Sequence, residues 1–280
     1  MIKAYYELSK PGIIYGNILT AVAGYLLACR LHLHFSSFGG MVAGFMLVIG
    51  SACAFNNLAD RDIDAKMTRT KNRPSVNGQI STKAGLVYAS ILAVTGFCLL
   101  FSLANPLTAL IAAIGFIVYT TAYTYSKRKT HHSTLIGSIS GATPIVGGYV
   151  AFSGHLDVAA IIIGIMMILW QMPHFYAIAI YRDEDYRRAG IPSLPVIAGK
   201  KTTGNYMVVY SLLFAIACIL LYRYSNVGLT YLIVMLVVST FWLGLNIAGL
   251  FTKTIEIWAK KSFHSSLIVM LVMSMAISFR

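Results

Sequence analysis

Apolar residues run along this chain in long blocks separated by short polar breaks, with no large hydrophilic region between them. A block of about 17 to 25 mainly apolar residues is the length of a helix that crosses a bilayer. Nine such blocks fall at 12–29, 38–58, 84–104, 106–125, 134–152, 158–180, 204–222, 227–250 and 262–279. The narrowest division lies inside 84–125, where only Asn105-Pro106 interrupts the run; Pro ends helices, and a tight turn fits there. Were that turn to fail, the blocks would number eight.

Composition agrees with this pattern. Hydrophobic residues make up 58% of the 280 positions and charged residues 11%, with a mean hydropathy of +0.73. That is an integral membrane protein, a single all-α unit over residues 1–280, rather than a soluble domain.

The basic residues then orient it. Lys and Arg concentrate in cytoplasmic loops. With the N-terminus in the cytoplasm, nineteen of the 22 fall in inner breaks, leaving Arg30, Arg223 and Arg280 outside. An eight-block reading would invert every later loop and destroy the asymmetry. The net charge of +13 therefore belongs to one face, suited to anionic headgroups or anionic ligands. No soluble basic domain exists to bind nucleic acid. Cys29, Cys53, Cys98 and Cys218 stand singly in apolar runs, without zinc or redox spacing. The opening MIKAYYELSKPG carries neither a cleavage signal nor an Arg-rich transit segment. A bacterial plasma membrane is the expected location.

Of the nine acidic residues, six gather in two clusters: Asp60, Asp62 and Asp64 after the second block, and Asp183, Glu184 and Asp185 after the sixth. Both face the expected cytoplasm and both lead into basic, Pro-terminated loops. Four blocks separate them, which implies a parallel four-plus-four repeat with one helix left over. At helical spacing Asn56, Asp60 and Asp64 share one face and Asp62 points elsewhere. Likewise Tyr181 and Asp185 share a face, with Asp183 opposite. One such cluster can be an ordinary helix end, but two clusters of mutually repelling carboxylates call for a cation. Sparse oxygen ligands suit magnesium completed by water and substrate phosphate. Arg69 and Arg73 follow the first cluster, and Lys127 and Arg128 close the fourth block, placed to hold phosphate oxygens.

The spacing Asn56-x-x-x-Asp60-x-x-x-Asp64 resembles the first aspartate-rich motif of the intramembrane aromatic (UbiA-type) prenyltransferase superfamily. SKPGIIYGN, NNLADRDIDAKMTRTKNRP, IGSISGATPIVGGY, WQMPHFYAIAIYRDEDYRRAGIPSLP and IWAKKSF together resemble its protoheme IX farnesyltransferase branch across nearly the whole chain. The second DxxxD of the wider superfamily reads Tyr181-x-x-x-Asp185 here, which puts a firmly held second magnesium in doubt.

The resemblance implies farnesyl transfer from farnesyl diphosphate to a vinyl group of heme B, with water added, giving heme O and diphosphate. It implies Mg2+ held by Asp60, Asp64 and Asp185 with Asn56 in support, and a product passed to a downstream heme-modifying enzyme or an assembling terminal oxidase. Tyr119 or Tyr123 would offer a ring face to the allylic cation. His174 is either functional toward heme or a neutral imidazole bonded to a neighbouring helix, and Trp170, Gln171 and Phe175 would shape the porphyrin pocket. The rival readings are a sister prenyltransferase of quinone biosynthesis and a secondary transporter. Carboxylates at helix ends rather than at mid-membrane argue against the transporter, and YRDEDY against the quinone enzyme.

Overall fold

A computed structural model describes residues 1–29 and 32–278; Arg30 and Arg280, two of the three outer basic residues above, lie outside the described residues. Among the described residues there are helices and no strands. Nine helices are long: α1 (Pro11–Cys29), α2 (Phe35–Ala59), α3 (Thr82–Leu99), α4 (Pro106–Ile117), α5 (Ser133–Ser153), α6 (Val158–Tyr181), α7 (Lys200–Tyr224), α8 (Leu229–Ala248) and α9 (Ile255–Ala276). The ends of α3 and α4 are extended by wider π turns, Leu100–Ala104 and Val118–Tyr123. Among the described residues, and counting these extensions, eight of the long helices are apolar and long enough to cross a membrane, α4 through Ser126; α9 falls outside that set. It starts at Ile255 rather than near residue 262, and its first half carries Lys260, Lys261 and His264.

The narrow division at Asn105-Pro106 is real, and its chemistry is visible. Asn105 leaves the helical conformation and its side chain accepts the Thr108 amide at 2.8 Å, while Pro106 opens α4, where no amide is needed. The Asn105 amide also donates to the Val150 carbonyl at 2.8 Å, tying the turn to α5. Asp157 does the same service for α6, accepting from the Ala160 amide at 2.9 Å and from the Tyr149 hydroxyl at 2.6 Å.

Two cores are packed side by side. Tyr25 of α1, Met41, Phe45 and Val48 of α2, and Leu100 beyond α3 form one. The larger contains Ile145 of α5, Ile163 and Met166 of α6, Phe214 of α7, Trp242 of α8 and Met273 of α9. They meet where α1 crosses α5. A Cβ on Gly24 would stand 2.0 Å from the Ile145 carbonyl oxygen, and one on Gly148 1.9 Å from that of Ala21. Small residues let backbones approach this closely, the usual way for helices to associate where lipid offers no hydrophobic driving force between them. Outward faces remain apolar, with Ile91, Val94, Phe101, Ile161, Val237 and Ile268 exposed, as lipid contact requires.

Before α1 a short helix, Ile2–Leu8, is capped by Ser9 and followed by Lys10, whose φ of 52° is left-handed. A residue with a Cβ adopts that conformation only when its surroundings hold it there.

Candidate functional site

The chain leaves α2 through Asp60, which has non-helical torsions (φ −96°, ψ 7°), and makes one further turn, Arg61–Asp64. The expected ladder is therefore not one continuous helix. Its face survives because the break is small: the Asp60 amide donates to the Asn56 carbonyl at 3.0 Å and the Asp64 amide to that of Asp60 at 2.8 Å. Asn56, Asp60 and Asp64 are all buried. Asp62 is exposed and faces away.

Each buried carboxylate has a cation of its own. Lys127 donates to Asp60 Oδ2 in a short contact, and Arg73 reaches Asp64 Oδ2 at 2.5 Å and Asn57 Oδ1 at 3.0 Å. Arg128 pairs with Asp62 through two bonds of 2.7 and 2.8 Å and also donates to the Ala59 carbonyl. That fork holds the Asp62 carboxyl at about 2. Asp60 Oδ1 is sealed with no hydrogen bond, with Arg128 3.6 Å away. Arg69 is exposed.

Lys10 forms the floor. Its Nζ donates to Asn56 Oδ1 at 2.9 Å, and the Asn56 amide donates to Thr124 Oγ1 at 2.9 Å. Burial lowers the Lys10 ammonium to about 8, with Arg73 and Lys127 pushing the same way and Asp60 opposing. Burial likewise lowers Lys127, against the pull of Asp60. Above Lys127 the π turn of α4 brings Tyr119 and Tyr123 face to face, centroids 5.3 Å apart, with the Lys127 ammonium 5.1 Å from the Tyr123 ring.

Helix α6 ends at Arg182 (φ −111°, ψ 17°) and Asp183–Ala189 forms a separate short helix, a break like the one at Asp60, bridged by the Arg182 amide to the Ile178 carbonyl at 3.0 Å and the Tyr186 amide to that of Arg182 at 3.2 Å. Asp185 Oδ1 accepts the Thr68 amide at 3.2 Å, and Arg188 donates to Thr68 Oγ1 at 2.7 Å. Asp183 turns inward to Arg187 at 2.9 Å, with Lys200 at 4.0 Å. Among the described residues no three acidic, His or Cys side chains come together as a metal cage. Asp60, Asp64 and Asp185 therefore do not form a protein-only metal cage.

Further back along α6, the indole of Trp170 donates to the Ser266 carbonyl at 2.9 Å, and the Gln171 amide donates to the carbonyls of Ser138 and Met167, both at 3.0 Å. Gln171 fills the space over Gly141, where a Cβ would lie 2.0 Å from Oε1. Both residues join helices through these donors. His174 bonds Ser266 Oγ at 2.7 Å and packs between Trp170 and Phe263, with centroids at 4.7 and 5.0 Å; Phe175 is exposed.

The model of the UbiA prenyltransferase family matches residues 17–267, nearly the whole of this helical array. The chain belongs to the UbiA prenyltransferase family. It is 46% identical to the protoheme IX farnesyltransferase of Pectobacterium atrosepticum over 281 residues, 99% of this chain and 95% of the relative. It is equally similar to that of Photorhabdus laumondii, with 99% and 95% covered. A solved structure of digeranylgeranylglyceryl phosphate synthase shares the fold at a TM-score of 0.82 and 21% identity, covering 99% of this chain and 97% of that one. A UbiA homolog from Archaeoglobus fulgidus, solved with DMAPP and Mg2+, superposes at 0.74 with 13% identity, and 98% of each chain is covered.

For a UbiA family member, three contributors escape motif reading. Lys10 counts in the sequence only as one more inner basic residue, though its place directly before Pro11 marks a constrained turn. Thr124 and Thr68 have no charge to draw notice. They matter through the partners they hold, which lie 68 and 117 residues away along the chain.

Proposed function

We propose that this chain transfers the farnesyl group of farnesyl diphosphate to a vinyl group of heme B, with addition of water, giving heme O and diphosphate. The observation that carries the reading is the near full-length similarity to protoheme IX farnesyltransferases, 44–46% identical over 99% of the chain, joined to a buried carboxylate pair ringed by cations.

Asp60 and Asp64 would hold Mg2+ together with the diphosphate, and Asp185 would meet the same group from the other loop. The sealed Oδ1 of Asp60, which accepts no hydrogen bond, leaves a lone pair for a metal ligand bond. Magnesium supplies stabilisation of the negative charge that departs with the diphosphate. Arg73 and Lys127 are poised at those carboxylates, and with Arg69 and Arg128 they offer their donors to phosphate oxygens. Lys10 and Thr124 fix the Asn56 amide and keep the floor polar. The stacked rings of Tyr119 and Tyr123 present π faces to the allylic cation, while the apolar helices exclude water along the farnesyl chain. His174 and Phe175 meet the porphyrin, with Trp170 and Gln171 setting the helices behind them. Tyr181, half-buried against Phe263 at 5.9 Å between centroids, stands between the two substrates.

The same reading places nine spans in a bacterial plasma membrane, α9 included, as a single domain with a four-plus-four repeat. The N-terminus and both charged loops then face the cytoplasm, where anionic substrate is met.

Purified protein supplied with farnesyl diphosphate, Mg2+ and heme B is expected to give a porphyrin heavier by one hydroxyfarnesyl group. Unaltered heme, under conditions where a P. atrosepticum-type relative converts it, would overturn the reading. So would prenylation of a hydroxybenzoate alone when both acceptors compete.

A further inference from the structure

Ser266 decides which nitrogen of His174 carries the proton. A serine hydroxyl has one hydrogen to give. Ser266 Oγ lies 2.5 Å from the Phe263 carbonyl oxygen and 2.7 Å from His174 Nδ1. Two oxygens at 2.5 Å need a hydrogen between them, since otherwise lone pair would face lone pair. The hydroxyl hydrogen is therefore spent on Phe263, and Nδ1 must be the donor to Oγ. No carboxylate lies against the buried ring, so the imidazole is neutral. Its lone pair is then at Nε2.

That nitrogen is left open. Among the described residues Nε2 has no hydrogen-bond partner, yet it is not one of the sealed, unpartnered side-chain atoms. The ring around it is fixed. Trp170, one turn earlier on α6, grips the Ser266 carbonyl at 2.9 Å while His174 grips its hydroxyl. Phe263, one turn before Ser266 on α9, packs on the imidazole and on Tyr181 alike. His174 lies seven residues before Tyr181, about 10 Å at the rise of an α-helix and nearly on the same face. The imidazole thus sits two turns below the helix end where the diphosphate-binding groups gather.

A neutral imidazole whose Nδ1–H is held by an oxygen and whose Nε2 is free has the arrangement of a metal-ligating histidine. Resting on the heme reading above, we infer that His174 ligates the porphyrin iron through Nε2, and that Ser266 is the positioning residue that sets its tautomer and angle. The coordinate bond uses the existing lone pair, so no proton is released when it forms. Ligation anchors the macrocycle and leaves its edge, where a vinyl group is carried, to be turned toward the allylic carbon.

The test is titration of hemin into the full-length solubilised protein, followed by its Soret band and by resonance Raman, beside metal-free protoporphyrin IX. Wild type is expected to give imidazole-ligated iron. His174→Ala should lose that signature and recover it on addition of free imidazole, with affinity for the metal-free porphyrin unchanged. Ser266→Ala should weaken hemin binding roughly tenfold, the scale of a lost outer partner, and Ser266→Thr should restore it. Thermal unfolding of each variant separates these effects from misfolding. A wild type that farnesylates heme B but shows the same hemin spectrum as His174→Ala overturns this inference and leaves the transfer reading standing. Imidazole-ligated hemin with no farnesylated product supports the inference and overturns the transfer reading.

Discussion

The Asp185 carboxylate accepts the backbone amide of Thr68 at 3.2 Å, joining the loop after α6 to the loop after α2. Arg188 secures the same residue through its hydroxyl at 2.7 Å. The two charged loops are therefore one structure across the mouth of the bundle. Arg188→Ala is expected to loosen it, raising KM for farnesyl diphosphate about three- to tenfold with kcat little changed, on the scale of about 1 kcal/mol for a partly exposed charged bond. Asp185→Asn should lower kcat as well. Steady-state kinetics at saturating heme distinguish the two, and equal effects on both parameters would show that the loops do not act through Asp185.

Asp62 and Asp64 lie two residues apart and do opposite things. Asp64→Asn should reduce turnover by roughly 100-fold or more, a loss of about 3 kcal/mol in transition-state stabilisation. Asp62→Asn breaks only an exposed pair and should cost less than about threefold. Rates of heme conversion measured side by side, with unfolding temperatures, check this. Equal losses would remove the buried-face assignment.

Since Lys127 and Arg73 already balance Asp60 and Asp64, Mg2+ alone has little to gain there. Calorimetry should show Mg2+ binding at least tenfold tighter in the presence of an unreactive farnesyl thiodiphosphate. Removing divalent cations with EDTA should stop turnover yet leave the unfolding temperature of the ligand-free protein unchanged. A fall in that temperature would mean that the carboxylates hold metal by themselves.

Gly148→Ala and Gly141→Ala test backbone contact against side-chain contact. A Cβ at Gly148 meets the Ala21 carbonyl of the packed helix, which cannot move without the helix, whereas a Cβ at Gly141 meets the end of Gln171. The first should be destabilising by at least the ~1–3 kcal/mol typical of overpacking. The second should be milder and should recover on adding Gln171→Ala. Thermal unfolding in detergent reads both, and a tolerated Gly148→Ala would contradict the close crossing of α1 and α5.

The sequence was most informative where one residue type has one physical consequence. Apolar length located eight of the nine long helices to within a few residues and missed the start of α9, whose first turns carry Lys260 and Lys261, while Asn105-Pro106 marked a real turn. Spacing separated Asp62 from Asp60 and Asp64 correctly even though the helix breaks at Asp60, since one loose turn rotates the chain little. A similar break at Arg182 separates Tyr181 from Asp185, and the partner Asp185 meets, the Thr68 amide, lies on another loop that spacing cannot reveal. Gln171 is expected to shape the porphyrin pocket, and its amide partners, carbonyls on its own helix and on α5, are ones that spacing along α6 cannot reveal. Ser266 was invisible for the same reason, and so was Lys10: their meaning comes from residues 92 and 46 positions away.

Neighbouring asparagines on α2 hold the segment before the first span: Asn57 donates to the Leu8 carbonyl at 2.8 Å, and Asn56 receives the Lys10 ammonium. The strained turn at Lys10 is kept by those two bonds. The first ten residues are thus not a dispensable leader to be trimmed for convenience in expression. Cutting them back would remove the ammonium that holds Asn56 and expose the end of α2, so affinity labels and fusion partners should be joined without trimming into this arm.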